Sequence, residues 1–182
     1  MNRGCGALLL AVAGLVSGCG RSGGTAGAGP GAAVGGAVEW FRDITEASGV
    51  AFTHRTGTNY WMPDQVGSGV ALLDFDQDGR LDLYLVQNGG EGVRARNQLY
   101  RQGDDGRFLN VSADSGADLA GRGMGAIAGD VNNDGRPDLV VTEYGAVRLL
   151  ENLGGGKFRE SGRDAGLDNP RWAAPASFLD FD

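Results

Sequence analysis

Residues 74–82 read DFDQDGRLD, and residues 130–138 read DVNNDGRPD. Each stretch carries an oxygen-bearing side chain at positions 1, 3, 5 and 9 and a glycine at position 6. Alternate side chains of a tight loop can converge on one centre, and glycine supplies the sharp bend without steric cost. Oxygen donors at this spacing suit a hard cation, calcium above all, rather than the nitrogen and sulfur chemistry of zinc. The first loop then offers Asp74, Asp76, Asp78, the Arg80 backbone carbonyl and Asp82. The second offers Asp130, Asn132, Asp134, the Arg136 carbonyl and Asp138. An Asp-rich turn capped by its own backbone needs no metal, yet converging unpaired carboxylates would repel one another strongly. With four carboxylates against three, the first loop is expected to hold Ca2+ more tightly. The arginine side chains at the loop tips read as solvated.

The flanking residues decide what kind of loop this is. Apolar runs lie on both sides: Val70 to Leu73 and Leu83 to Val86 around the first, Ile127 and Leu139 to Val141 around the second. Short apolar runs with β-branched residues, bounded by Gly and Asp, read as strands. An EF-hand would instead leave the loop in a helix and carry Glu at its twelfth position. Pro137 would break such a helix at its start, and Leu85 and Val141 stand where the Glu belongs. Downstream, NQLYRQGDDGRF (97–108) and VRLLENLGGGKF (147–158) each read as a hairpin with a Gly-rich turn.

Two longer phrases recur. FRDITEASGV from Phe41, FLNVSADSGA from Phe108 and FRESGRDAGL from Phe158 share Phe at the first place and Gly at the ninth. GSGVALLDFD from Gly67 and GMGAIAGDVN from Gly123 are followed by AAPASFLDFD from Ala173, which lacks both glycines and ends two ligands into a third loop, at Asp180 and Asp182. One repeat is thus four strands in about 50 to 56 residues, the pattern of a β-propeller blade. The expected fold is all-β: a partial propeller of four-stranded antiparallel blades, about two and a half of them. The copy at Phe41 reads as the last strand of a blade whose first three strands do not precede it.

These motifs together resemble the FG-GAP and VCBS-type propellers found in integrin α heads. More closely, the chain is similar to the cartilage acidic protein-like family, whose members open with a lone F-x-D-V-T-x-x-x-G phrase. They continue through F-x-H-x-x-G, here FTHRTG from Phe52, and G-x-G-V-A, here GSGVA from Gly67, into the acidic loop. The resemblance covers Val38 to Asp182. It implies a seven-bladed extracellular or periplasmic propeller, often followed by an ASPIC/UnbV-type domain, and makes the present sequence an N-terminal fragment of one.

The N-terminal residues stand outside the fold. In MNRGCGALLLAVAGLVSGC (1–19), Arg3 supplies a positive end and Ala7 to Val16 a short apolar core. Val16-Ser17-Gly18-Cys19 resembles the lipobox cleaved by bacterial lipoprotein signal peptidase. Residues 1–18 therefore read as a lipoprotein signal peptide and Cys19 as the lipidated residue. The apolar core is too short to span a bilayer, and cleavage would leave Cys19 as the single cysteine, with no internal disulfide. Residues 20–38 are mostly Gly and Ala, a coil with a reach of about 24 Å. The expected location is the cell envelope after export across the inner membrane, with membrane contact only through the lipid.

Of 182 residues, 34 are glycine, against a usual share of about 7%, so turns are frequent. The formal net charge of -7 argues against nucleic acid or an anionic lipid surface as partner. His54 is the one histidine, and Ser68, Ser112 and Ser115 have no identifiable base, so no catalytic constellation stands out. The glycine clusters at 89–92 and 154–156 read as turns, since neither opens a helix as a phosphate loop must. Trp40, Tyr60, Trp61 and Trp172 would either pack between blades or line a sugar-binding groove. The expected role is binding of an extracellular protein or glycan. The alternative is a secreted propeller hydrolase or dehydrogenase whose active site lies in other blades.

Overall fold

A computed structural model describes residues 40–55, 57, 62–89, 95–167 and 169–179. The chain divides into two units, Met1–Asp43 and Ile44–Asp182. The described residues of the first, 40–43, lie in no helix or strand. The expected leader, Cys19, the tether, Tyr60, Trp61, Asp180 and Asp182 all lie outside the described residues.

Among its described residues the second unit has one short helix, α1 (Met62–Val66), followed by two four-stranded sheets. The first sheet contains β1 (Val70–Leu73), β2 (Asp82–Leu85), β3 (Gln98–Gln102) and β4 (Phe108–Asn110). The second contains β5 (Gly123–Gly129), β6 (Asp138–Glu143), β7 (Ala146–Gly154) and β8 (Lys157–Glu160). Within each sheet the strands neighbour one another in chain order, and every pairing is antiparallel. This is the meander expected of a propeller blade, drawn twice, and the acidic loops join its first two strands. Residues 173–179, the described part of the third phrase, form no strand; Trp172 makes one isolated bridge to Tyr144.

Strand β1 alternates: Ala71 and Leu73 are buried, Val70 and Leu72 are exposed. The buried face does not close on its own sheet. Ala71, Leu73, Phe75, Tyr84 and Leu99 join Leu139, Val141, Leu150 and Phe158 in a single apolar cluster shared by both sheets. A four-stranded sheet has too little apolar surface to bury alone, so each blade is completed by its neighbour.

Three polar devices hold the repeats in place around that core. The Tyr84 hydroxyl donates to the Ala117 carbonyl at 2.7 Å and accepts from Asn97 Nδ2 at 2.9 Å, all buried. Asn152 Nδ2, on β7, donates to the Phe75 carbonyl of the first acidic loop at 2.9 Å and to the Pro137 carbonyl at 3.1 Å. The third device explains the Phe-to-Gly phrase. The Phe108 N–H donates to Ser48 O and the Phe158 N–H to Ser115 O, each at 2.7 Å. Each copy of the phrase therefore clasps the copy before it. The ninth residue must be glycine: Gly116 has φ +78°, and a Cβ there would lie 2.3 Å from the Phe158 carbonyl oxygen.

The other phrase has its own steric reason. A Cβ on Gly69 would stand 2.7 Å from the Cα of Gly125, so the first strands of the two sheets approach where only glycine fits.

Asn152 is fully buried. Asn152→Ala should cost roughly 1–3 kcal/mol, because the Phe75 and Pro137 carbonyls lose a donor inside the inter-sheet contact. Denaturant unfolding of the two proteins measures this, and an unchanged midpoint would show that the bond between the sheets contributes nothing.

Candidate metal centre

The two acidic loops fold alike because the same residues cap the same backbone groups. In the first, Asp74 accepts the Asp78 N–H on Oδ1 at 3.0 Å and the Gly79 N–H on Oδ2 at 2.9 Å. Asp78 Oδ1 accepts the Arg80 N–H at 3.0 Å. In the second, Asp130 accepts Asp134 N–H at 3.1 Å and Gly135 N–H at 2.8 Å, and Asp134 accepts Arg136 N–H at 2.9 Å. Asn132 adds a bond from Asp134 N–H at 3.0 Å. Left-handed backbone recurs at matching places, Gln77 and Gly79 against Asn133 and Gly135. These are Asx-type turns in series, and they draw the side chains at positions 1, 3 and 5 toward one side.

In the first loop the result is a cluster. Carboxylate oxygens of Asp74, Asp76 and Asp78 all lie within 4.8 Å of one another. Asp76 Oδ1 is buried and has no hydrogen-bond partner. A carboxylate oxygen can accept a second interaction beside a backbone N–H, so Asp74 and Asp78 keep lone pairs for a ligand. An all-oxygen set with an orphaned buried oxygen fits a calcium ion. The second loop puts Asp130, Asn132 and Asp134 in the same frame but more exposed to solvent.

Position 9 behaves differently. Asp82 and Asp138 are each fully buried. Asp82 accepts Phe75 N–H at 3.1 Å and Gln102 N–H at 2.8 Å; Asp138 accepts Val131 N–H at 3.0 Å and Asn152 N–H at 2.7 Å. Each thus ties its loop to the third strand of its own sheet. Asp82 is not part of the close carboxylate trio. Burial pushes its carboxyl up to about 6, with Asp76 and Asp78 adding to the rise and the two N–H bonds opposing it. At Asp130 the Gly135 N–H leads the bonds that hold the carboxyl below its usual value.

Arg80 and Arg136 are not solvated tips. Arg80 Nε donates to the Gln102 carbonyl at 3.0 Å, and its guanidinium pairs with Asp78 and, at 2.7 Å, with Asp104. Arg136 Nε donates to the Asn152 carbonyl at 2.8 Å and its guanidinium pairs with Asp134. The arginine after the glycine therefore braces each loop against β3 or β7, and its presence in both copies of D-G-R was the available signal. A second residue had no such signal. Arg101, on β3, pairs with Asp76 and, at 2.9 Å, with Asp78. Burial works against the charge on Asp78, but the Arg80 N–H and the two guanidinium groups hold its carboxyl below the ordinary value.

The loops also touch: Gln77 Nε2 donates to the Gly135 carbonyl at 2.6 Å. Elsewhere, exposed His54 lies 3.4 Å from Ser68 Oγ and edge-on to Phe52, and half-exposed Trp172 meets Tyr144 edge-on. Gly154, Gly155 and Gly156 form the expected turn, all with positive φ.

Four-stranded meanders stacked face to face, each with an Asp-rich turn between its first two strands, define a repeat protein of the β-propeller class. Residues 74–141 and 130–182 match the model of the FG-GAP-like repeat, and the chain, more than half of which these matches cover, belongs to that family. No curated protein matches it.

The buried acid and the trio make separable contributions. Asp138→Ala leaves the buried Asn152 N–H and the partly buried Val131 N–H without an acceptor and should lower stability by roughly 1–3 kcal/mol even in a chelator. Unfolding in chelator checks this; destabilisation that appears only with calcium would make Asp138 a pure ligand.

Proposed function

We propose that the chain is a calcium-stabilised β-propeller module of the cell envelope that binds an extracellular protein or glycan. The observation that carries the calcium part is the convergence of Asp74, Asp76 and Asp78 around a buried oxygen with no partner. In the first loop the ion would be held by these three with the Arg80 carbonyl and Asp82, in the second by Asp130, Asn132, Asp134, the Arg136 carbonyl and Asp138. Asp180 and Asp182 would open a third site. Bound calcium supplies positive charge to carboxylates that otherwise repel, and so stiffens the turn between the first two strands. The protein's own part is to hold the turn by its Asx bonds and to seat it on the neighbouring strand through Asp82 and Asp138.

The binding role draws support from the architecture: stacked repeats give a rigid scaffold whose loops are free to carry recognition. The finer kinship, with cartilage acidic protein-like propellers of the ASPIC/UnbV-associated kind, rests on the FTHRTG and GSGVA phrases. The VSGC tetrapeptide followed by a Gly/Ala tether supports anchoring through Cys19, outside the inner membrane.

Calorimetry should detect calcium at about 10⁻⁴ to 10⁻³ M, the range of extracellular sites. At free calcium about 100 times the dissociation constant, one site adds about 2.7 kcal/mol of stability. Asp78→Ala and Asp134→Ala should each remove part of the calcium-dependent rise in melting temperature. Identical melting in calcium and chelator, with no heat of binding, would reduce both loops to turns. For the anchor, Cys19→Ser should move the protein from the membrane fraction to the soluble or uncleaved pool; unchanged fractionation would remove the lipid from the account.

A further inference from the structure

The two loops match in sequence but not in electrostatics. In the first, the Arg101 guanidinium rests on Oδ2 of both Asp76 and Asp78, two members of the converging trio. The corresponding place in the second sheet follows from the strand register. Arg101 lies opposite Leu109, next to the Gln102–Phe108 pair, and Glu151 lies opposite Arg159, next to Asn152–Phe158. Gln102 and Asn152 also give the equivalent N–H bonds to Asp82 and Asp138. Glu151 therefore stands where Arg101 stands, with the opposite charge, and it is paired outward with Arg159 at 2.5 Å.

We propose that Arg101 is a tethered counter-cation that competes with calcium for Asp76 and Asp78, making the first loop the weaker calcium site. This rests on the reading of the loops as calcium sites. Both loops carry the arginine at position 7, which pairs with the acid at position 5 in each, so that pairing does not distinguish them. What distinguishes them is one extra carboxylate in the first loop, Asp76 against Asn132, and one extra cation upon it. The added negative charge is cancelled, and calcium entering the first loop has to displace a guanidinium already bound to its ligand oxygens. The affinity order predicted by carboxylate count alone is reversed.

The test is calcium titration by calorimetry of the full chain, with Asp134→Ala added to read the first loop and Asp78→Ala to read the second. Arg101→Gln should tighten the first loop about tenfold, a modest share of the Coulomb coupling of a unit charge at contact, as suits a half-exposed side chain. Arg101→Lys keeps the charge and should stay within about threefold of the parent. Glu151→Arg plants the cation in the second loop and should weaken it about tenfold. If Arg101→Gln folds and binds calcium no tighter, the proposal fails while the calcium reading stands. If Arg101→Gln does not fold, Glu151→Arg decides, and unchanged affinity there overturns the proposal. Calcium binding to neither loop in any variant overturns both.

Discussion

A carboxylate with no exposed surface holds each sheet together at its acidic end. Asp82 and Asp138 each take one N–H from inside their loop and one from the third strand. The loop cannot shift relative to the sheet without leaving buried donors unpaired, and that cost exceeds the worth of most surface contacts. The Asx bonds of the turn, the position-7 arginine and the converging carboxylates all depend on this seat. The ionised form carries a desolvation cost, visible in the raised Asp82 carboxyl, which two N–H bonds offset only in part. An acid at this place makes sense because each of its two oxygens accepts one backbone N–H, which an amide side chain, with a single acceptor oxygen, could not arrange.

Much of this was legible in the sequence. Strands β1, β2 and β6 coincide closely with the apolar runs beside the loops, because each run of apolar side chains is bounded at the loop by aspartate. The four-strand repeat followed from the phrases, and the clasps of Phe108 on Ser48 and Phe158 on Ser115 supply the physical reason that Phe and Gly recur together. The site was legible only within the loop. Positions 1, 3 and 5 converge as spacing predicts, because adjacent Asx turns are a local property. Arg101 was not legible, since its meaning depends on which residue of β3 faces the loop, and that is set by strand register and not by any motif. Position 9 was legible as acidic but not as buried, because one of its two donors arrives from β3 or β7.

The same comparison between the two sheets shows where the fold keeps its core. Ala71, Phe75, Tyr84 and Leu99 of the first repeat are buried in the cluster shared with the second. Their counterparts one repeat later are Ile127, Val131, Val140 and Leu149, and these line a cavity of about 640 Å³ with Ala173, Ala176 and Phe178 across it. Identical positions are thus core in one blade and cavity wall in the next. The difference lies in what covers them, a full sheet in one case and a strandless segment in the other. Phe75 is 3% exposed beneath Phe158, whereas Val131 at the matching place is 39% exposed. The apolar residues of this repeat therefore specify a contact between blades rather than an interior within one. Rigidity at each acidic loop then matters beyond its own hairpin: Phe75 and Val131 are themselves loop residues, at position 2, so the turn that gathers the carboxylates on one side presents the packing side chain on the other.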